Sequence, residues 1–536
     1  MRVTGGEAIV RTLERLGVEV VFGIPGVHTL AIYDALYSSP IRHVLARHEQ
    51  GAGFMADGYA RVSGKPGVAI VITGPGVTNI ATAIGEAYAD SSPVVVIASN
   101  VEQAWQGQML GHLHDCKDQL GIMRVVTKWA DRARSVEDVP RLLRTAFAEA
   151  ICGRRRPTHL EVPLDVLHGS GEIELAHLAP LSMERSQPRR SAIELAARMI
   201  EEAERVVLYC GGGGVASGAT AELGALAERL GAAVITSLQG KGAIPEDHPR
   251  CLGNLWEPEN AVERVLRESD LVIVIGSKLG AQDTANGRLP LPDRRIRIDI
   301  DAQEILRNYP PTLPIVADAR ETVRALLSEL TSRGITKQGW PVDVLQATKR
   351  EALATAWGAG QAEWLRAIRA VLPRDGILVS DMTMMAYVSN RHYPVYEPGT
   401  YLFPTGYGTL GFALPAAIGA KIARPEAAVV ALVGDGGYQF TMQELATAIQ
   451  FRIGIPIILF NDASYTAVKD EQARSFGGRF VAVDLVNPDF QKLATAYGIP
   501  SEYVTSPQAL EGAIARALER DLPTLIEVPI DFPLGA

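Results

Sequence analysis

Residues 428–465 form the stretch AVVALVGDGGYQFTMQELATAIQFRIGIPIILFNDASY, which decides the fold. The apolar run 428–433 is typical of a fully buried parallel strand, and a second apolar run follows at 455–460. Thr441 and Glu444 have the spacing of a capping box, which predicts a helix between the two strands. The stretch therefore predicts one strand–helix–strand unit with a right-handed crossover and two parallel strands.

Acidic side chains follow both of these strands. Asp435 lies in the turn Gly434-Asp435-Gly436-Gly437, and Asp462 comes directly after the second strand. Ligands bind outside the carboxyl ends of the strands in open parallel sheets, and carboxylates there suit Mg²⁺, which completes its octahedron with water and substrate phosphates. Glycines in such a turn let backbone N–H groups approach a phosphate. An ordinary sheet with polar edge loops is the alternative, and the paired acids favour the metal site over it.

The stretch resembles the thiamine diphosphate (ThDP) motif, in which Gly-Asp-Gly is followed downstream by Asn-Asn. The resemblance implies that Asp435, Asp462 and the backbone carbonyl of Ser464 bind Mg²⁺, which holds the cofactor's diphosphate. Two positions depart from the motif: Asp462 replaces the second Asn, and Thr466 replaces the Gly that usually follows the aromatic residue, here Tyr465. Both departures leave room for the cofactor but change the charge and the packing around it.

Composition excludes several classes of protein. The net charge of −9 is spread along the 536 residues without long basic blocks, so we expect neither a nucleic acid nor a membrane partner. The four cysteines are scattered without metal-ligand spacing, which favours a reducing, cytoplasmic location. We expect no signal peptide, and no apolar run approaches the roughly 20 residues that span a bilayer.

Alternating apolar runs and helical patterns predict an α/β fold with three doubly wound parallel-sheet domains. The resemblance to ThDP enzymes implies that residues 1–180 form a pyrimidine-binding domain, 191–340 a central Rossmann-like domain, and 361–536 a diphosphate- and Mg²⁺-binding domain. The polar segments near 181–190 and 335–360 have the composition of linkers.

Glu49 is the central candidate of the first domain. A carboxyl just past a strand end in an apolar environment is desolvated, although a structural helix cap is the alternative for any single Glu. The segment 47–79, RHEQGAGFMADGYARVSGKPGVAIVITGPGVTN, resembles the first domain of acetolactate synthases. In that family the equivalent Glu hydrogen-bonds the aminopyrimidine and favours its imino tautomer, which removes the thiazolium proton to give an ylid. The resemblance therefore implies that Glu49 activates the cofactor.

A second segment of this family, TGYGTLGF at 405–412, supplies a carbonyl to the aminopyrimidine at Gly408 and a bulky side chain under the bent cofactor at Leu410. Plain core packing is the alternative for Leu410. Met384-Met385 replaces a Gln-His pair that contacts the diphosphate, and Thr383 is the candidate to take over that contact. The residues expected around the cofactor are Gly26, Glu49, Thr73, Gly74, Thr383, Gly408, Leu410, Gly434, Asp435, Gly436, Gly437, Asp462, Ser464, Tyr465 and Thr466.

The substrate candidates are two histidines and their neighbours. His28 and His114 are candidate proton shuttles, His112 is a weaker one, and a structural loop histidine is the alternative for each. Val27-His28 replaces a Gly-Gly pair of acetolactate synthases. The segment GIPGVHTL and the His-acidic pair at 114–115 look more like 5-guanidino-2-oxopentanoate decarboxylases, which implies that Asp115 meets a cationic substrate tail. A solvated loop acid is the alternative for Asp115.

These features predict a ThDP- and Mg²⁺-dependent enzyme that decarboxylates a 2-oxoacid. The enamine intermediate is then either protonated to an aldehyde or ligated to a second carbonyl. A flavin-dependent 2-oxoacid oxidase of the same fold and a non-catalytic ThDP-binding protein are the alternatives. The glycine loop 211–214 is weak evidence for a dinucleotide, and we favour a central domain without FAD. The resemblance also implies active sites shared between two subunits, with Glu49 from one and Asp435 from the other, in a homodimer at minimum and a homotetramer by preference.

Overall fold

The computed structural model describes residues 1–534, which form two compact units. The first unit comprises Met1–Met183, Ile377–Met384 and the chain from Leu402 onward, and the second comprises Glu184–Gly376 and Met385–Tyr401. No helix within residues 1–534 has the length and apolar character needed to cross a membrane.

The first 183 residues contain a six-stranded parallel sheet with the order β3-β2-β4-β5-β7-β6, and β1 pairs with β8 in a separate antiparallel ribbon. The strands are β1 (Arg2–Thr4), β2 (Val20–Gly23), β3 (Arg42–Leu45), β4 (Gly67–Val71), β5 (Val94–Asn100), β6 (Trp129–Arg132), β7 (Thr158–Pro163) and β8 (Ser170–Glu172). The α-helices are α1 (Gly5–Arg15), α2 (Leu30–Tyr37), α3 (Glu49–Ser63), α4 (Pro75–Ala89), α5 (Gln119–Arg124), α6 (Asp138–Ile151) and α7 (Leu164–His168).

The second unit is built on another six-stranded parallel sheet, with the order β11-β10-β9-β12-β13-β14. Its strands are β9 (Val206–Cys210), β10 (Ala233–Thr236), β11 (Cys251–Gly253), β12 (Leu271–Ile275), β13 (Arg295–Asp299) and β14 (Leu313–Val316). The α-helices of this region are α8 (Arg190–Glu202), α9 (Gly212–Ala216), α10 (Thr220–Leu230), α11 (Ala261–Arg267), α12 (Ala319–Ser332), α13 (Val342–Thr355) and α14 (Ala362–Val371).

The third sheet has the order β16-β15-β17-β18-β20-β19, and β17 and β18 are neighbours as expected for the strand–helix–strand unit. The strands are β15 (Ile377–Ser380), β16 (Tyr401–Leu402), β17 (Val429–Gly434), β18 (Pro456–Asn461), β19 (Ser501–Tyr503) and β20 (Thr524–Pro529). The α-helices of this region are α15 (Met384–His392), α16 (Ala413–Ala423), α17 (Asp435–Tyr438), α18 (Leu445–Gln450), α19 (Thr466–Phe476), α20 (Phe490–Tyr497) and α21 (Pro507–Leu518). With three parallel sheets flanked by helices, the predicted α/β fold class is confirmed.

The first and third sheets share one apolar core, and helices α3 and α16 form its centre. Two glycines permit this close packing. A Cβ atom on Gly58 of α3 would overlap the backbone of Ala416, and one on Gly419 of α16 would overlap the backbone of Met55. The helix that begins at Glu49 is therefore packed directly against helix α16 of the third sheet's region.

Two local predictions are wrong. The segment predicted as a linker at 335–360 contains helix α13, because Leu345 and Ala352 lie seven positions apart and pack into the core of the second unit. The predicted capping box does not form either: Thr441 donates its hydroxyl hydrogen to the Gly411 carbonyl at 2.7 Å. Glu444 is buried and accepts hydrogen bonds from the backbone N–H groups at 47 and 48 instead.

Candidate active site

Asp435 and Asp462 lie together at the carboxyl ends of β17 and β18. Asn487 donates one hydrogen bond to Asp435 Oδ2 at 2.6 Å and another to Asn461 Oδ1 at 3.0 Å. The Thr466 hydroxyl donates to Asp462 Oδ2 at 2.6 Å. Thr466 therefore has a structural task at the position where the ThDP motif usually has a glycine.

The two carboxylates of Asp435 and Asp462 repel one another. Burial raises the pKa of Asp435. Burial and, more weakly, the charge of Asp435 raise the pKa of Asp462 to about 6, against the opposing hydrogen bond from Thr466. No cluster of three or more His, Cys, Asp or Glu side chains suited to a metal occurs in residues 1–534. Two hard oxygen ligands that repel each other nevertheless fit Mg²⁺, which completes its octahedron with carbonyls, water and phosphate oxygens.

The glycines around Asp435 allow close packing at this edge. A Cβ atom on Gly434 would overlap the Thr383 hydroxyl, and one on Gly436 would come within 2.5 Å of the Tyr465 ring. A Cβ atom on Gly437 would lie 3.3 Å from Asp381. The structure thus brings Thr383 to the turn that carries Asp435, as the proposed replacement of the missing Gln-His pair requires.

Ser464 follows Asp462 in a turn that is tied to a neighbouring loop. Its hydroxyl donates to the Val483 carbonyl at 3.0 Å, and Ser464 forms an isolated bridge with Asp484. The hydroxyl hydrogen of Ser464 is therefore engaged within the protein.

Asp381 was missed by sequence reasoning. It directly follows β15, is almost fully buried, and accepts hydrogen bonds from the N–H groups of Gly411 at 3.0 Å and Met382 at 2.8 Å. Burial raises the pKa of Asp381 to about 6, although these hydrogen bonds favour its ionised form. Gly408, at a φ of +71°, and half-buried Leu410 lie in the loop that Asp381 holds. An acid after a strand, the signal that identified Asp435, would also have identified Asp381.

Glu49 is the first residue of helix α3, which His48 caps through its ring nitrogen. Asn79, on helix α4, donates a hydrogen bond to Glu49 Oε2 at 2.9 Å. Burial raises the pKa of Tyr33, and the Glu49 charge raises it further. Glu49 itself is only half-buried within the single chain.

His28 and His114 lie together, with ring centroids 5.3 Å apart and ring planes nearly perpendicular. Burial, and then the charge of His114, lower the pKa of His28. His28 Nδ1 lies 2.9 Å from Thr73 Oγ1, whose hydroxyl donates to Ser99 Oγ at 2.9 Å. This arrangement favours a hydrogen on Nδ1 and leaves Nε2 to exchange protons. His112 instead stacks on a tryptophan ring with centroids 4.1 Å apart.

A buried polar network supports this cluster. Gly74 donates its N–H to Gln119 Oε1 at 2.7 Å, and Gln119 Nε2 donates to the Ser99 carbonyl and to Glu161, each at 2.9 Å. Burial disfavours the charged form of Glu161, but His159 and Arg132 outweigh it and lower its pKa to about 2. Sequence reasoning missed Ser99, Gln119 and Glu161, because their pairing joins two strands, β5 and β7, with the first residue of helix α5.

Asp115 has the least usual environment of the candidates. Both of its carboxylate oxygens are shielded from solvent, and neither has a hydrogen-bond partner in residues 1–534. It follows His114, whose backbone has a positive φ of 62° and lies close to Gly74. Gly26 and Val27 precede His28; a Cβ atom on Gly26 would overlap the Ile72 side chain, and Val27 is exposed.

The glycine loop of the second unit is explained by packing. A Cβ atom on Gly211 would overlap the Gly276 carbonyl, and one on Gly213 would come within 2.7 Å of the Gly276 Cα atom. These glycines thus bring two strand-end loops together, and they provide no argument for a dinucleotide.

Comparison with known proteins identifies related chains. Three family models described as the N-terminal TPP binding, central and C-terminal TPP binding domains of thiamine pyrophosphate enzymes match residues 3–122, 193–326 and 381–528. A probable 2-ketoarginine decarboxylase of Pseudomonas aeruginosa is 42% identical over 97% of this chain and 91% of its own length. A probable acetolactate synthase large subunit of Methanocaldococcus jannaschii is 35% identical over 98% and 92%. The isozyme 3 large subunit of acetolactate synthase from Escherichia coli is 32% identical over 97% and 92%.

Proposed function

Because the chain belongs to the thiamine pyrophosphate enzyme family, as a ThDP-dependent 2-oxoacid decarboxylase or carboligase, we propose that its substrate is a 2-oxoacid with a cationic side chain. A guanidinium-bearing acid such as 2-ketoarginine is the first candidate. The products are CO₂ and the aldehyde that is one carbon shorter.

The buried, unpartnered carboxylate of Asp115 carries this proposal. An ionised carboxylate that is removed from water without a partner is unfavourable, so such a group is usually paired with a cation. A guanidinium matches a carboxylate with two parallel hydrogen bonds, which gives both affinity and a fixed orientation. The relative from Pseudomonas aeruginosa, a probable 2-ketoarginine decarboxylase, supports the same substrate class.

We assign binding of the cofactor to residues whose chemistry fits its parts. Asp435, Asp462 and the Ser464 carbonyl would hold Mg²⁺, and Thr383 would contact the diphosphate. Bound ThDP supplies an electron sink for the carbon that loses CO₂. Glu49 would exchange a proton with the aminopyrimidine, and its hydrogen bond with Asn79 orients the carboxylate for that task.

We also propose cofactor contacts for residues in the loops that come after strands. The Gly408 carbonyl and the Leu410 side chain would contact the aminopyrimidine side of the cofactor. The remaining proposed contacts come from two regions of the chain. They are Gly26, Thr73 and Gly74 in the first region and Gly434, Gly436, Gly437, Tyr465 and Thr466 in the third.

We assign the proton transfers at the substrate to the histidine pair. His28 Nε2 would deliver the proton that completes the aldehyde, because Nδ1 is engaged by Thr73. His114, in ring contact with His28, would relay that proton. His112, which stacks on Trp105, is a weaker candidate for the same proton transfer.

We propose domains at residues 1–180, 191–340 and 361–536. We also propose a cytoplasmic homodimer or homotetramer whose active sites are shared between two subunits. Exposed apolar side chains at Phe476, Val481 and Val486 support a surface that is covered by a second copy. Glu49 from one subunit would then act beside Asp435 from the other.

Carboligation is the second candidate activity, and the acetolactate synthase relatives, which this chain matches over nearly its whole length, favour it. A panel of 2-oxoacids with ThDP and Mg²⁺, with the product identified for each, separates the two activities. We expect CO₂ and a guanidinium-bearing aldehyde from 2-ketoarginine. Acetolactate from pyruvate, at a higher kcat/KM than for any cationic acid, would contradict the proposed substrate class.

A further inference from the structure

We propose that Glu86 is a positioning residue that sets the direction of the Gly408 carbonyl, the group assigned above to the aminopyrimidine. This inference rests on the proposed function and deepens it. Glu86 is on helix α4 and does not belong to the ThDP motif or to the strand-end loops.

Glu86 is fully buried against the segment 405–409. Its carboxylate accepts hydrogen bonds from the Thr409 N–H at 3.1 Å and from the Thr409 hydroxyl at 3.0 Å. Asp90, the C-cap residue directly after helix α4, accepts from the N–H groups of Thr405 at 3.0 Å and Gly406 at 2.9 Å. One carboxylate on helix α4 and one at its C-cap thus bind the backbone of this loop at both of its ends.

Peptide geometry converts this contact into an orientation. The Thr409 N–H and the Gly408 carbonyl belong to the same peptide unit, and in a trans peptide they point in opposite directions. No cis peptide bond occurs in the described chain, residues 1–534. When Glu86 draws the Thr409 N–H toward helix α4, the Gly408 carbonyl must point away from that helix. The carbonyl is then fixed before any cofactor binds.

The same helix also holds Glu49. Asn79, which donates to Glu49, precedes Glu86 by seven residues, and Asp90 follows Glu86 by four, so these three side chains share one face. Helix α4 therefore contacts two of the groups proposed for the cofactor, the Glu49 carboxylate and the Gly408–Thr409 peptide unit.

The charge on Glu86 controls how strongly it binds the loop. Burial, followed by the charge of Asp90, raises the pKa of Glu86 to about 7, while Arg61 and the bonds from Thr409 act in the opposite direction. Arg61 comes from helix α3 and is itself paired with Asp57 and Asp90. An ionised carboxylate accepts hydrogen bonds at both oxygens, and a protonated one has less acceptor capacity. The loop should therefore be held more tightly as the pH rises through 7.

Hydrogen exchange of the cofactor-free protein tests the proposal without catalysis. We compare the wild type with Glu86→Gln between pH 6 and 8 and follow peptides that span 404–412, expressed as protection factors. Loss of one charge-assisted hydrogen bond predicts about tenfold lower protection at pH 8 in the variant. The rise of protection with pH should be present in the wild type and absent from the variant. The ThDP dissociation constant should increase about tenfold at pH 8.

Two further variants complete the test. Glu149→Gln is the control: it removes the same charge from Glu149 of helix α6, which pairs with Lys128 and is partly exposed. This variant should change neither the protection factors nor the ThDP dissociation constant. Thr409→Val removes only the hydroxyl donor and should reduce protection about threefold, which keeps the proposal testable if Glu86→Gln does not fold. Unchanged protection in both Glu86→Gln and Thr409→Val would overturn the role of Glu86. A wild type that does not bind ThDP would instead refute the proposed function and leave the exchange result valid.

Discussion

Replacing Asp115 by Asn should lower kcat/KM for a cationic 2-oxoacid, the proposed substrate, and leave kcat/KM for a neutral 2-oxoacid nearly unchanged. The carboxylate oxygens of Asp115 are shielded from solvent and have no partner in residues 1–534, so a cationic tail is their expected counter-ion. A hydrogen-bonded pair with a charged group contributes about 1.5–3 kcal/mol, which corresponds to a loss of roughly 10- to 150-fold in kcat/KM. A neutral 2-oxoacid of equal length makes no such pair, and its kcat/KM should stay within about threefold of the wild-type value.

The assay measures CO₂ release from 2-ketoarginine and from its uncharged isostere in both enzymes. Asp131→Asn is the matched control, because Asp131 carries the same charge on an exposed position of strand β6 in the first sheet. That variant should treat both substrates as the wild type does. Equal losses on the two substrates in Asp115→Asn, or no loss on either, would refute the assignment of Asp115 to the substrate tail.

Three other perturbations test separate parts of the account. Thr73→Val should lower kcat about tenfold and shift its pH profile, because His28 loses the group that orients it; Thr73→Ser should restore both. Gly58→Ala should destabilise the first unit by about 3 kcal/mol in urea denaturation, whereas Gly224→Ala, on a helix with open space around it, should be neutral or stabilising. Burial raises the pKa of Glu444 from 4.5 to about 7, so its contribution favours folding below pH 4.5 and is lost as the pH rises through 7. Glu444→Gln should therefore gain about 3 kcal/mol relative to the wild type between pH 4.5 and 8, and identical pH dependence in the two proteins would contradict this origin.

The strand framework was predictable because buried parallel strands are continuous apolar runs. Runs at 428–433 and 455–460 became β17 and β18 with shifts of one residue. Their adjacency followed from the crossover rule, and it correctly brought Asp435 and Asp462 together. Local pattern and chain topology were sufficient for this part of the candidate site.

The remainder depended on contacts between distant segments. Thr441 and Glu444 have a capping-box spacing, but a carbonyl 30 residues away and two N–H groups of the first region bind them instead. Glu86 gave no signal because its partner is more than 300 residues distant in sequence. The sequence of helix α13 resembles a linker because only a few of its positions face the core.

Release of CO₂ from 2-ketoarginine, measured with and without ThDP and Mg²⁺ in the wild type and in Glu49→Gln, tests the central claim most directly. We expect release that requires both ThDP and Mg²⁺ in the wild type. Glu49→Gln should lose this activity while it still binds ThDP, because the variant keeps the metal and diphosphate ligands and lacks only the proton-exchanging carboxyl. Full activity in Glu49→Gln, or release by the wild type without added or bound ThDP, would contradict the account.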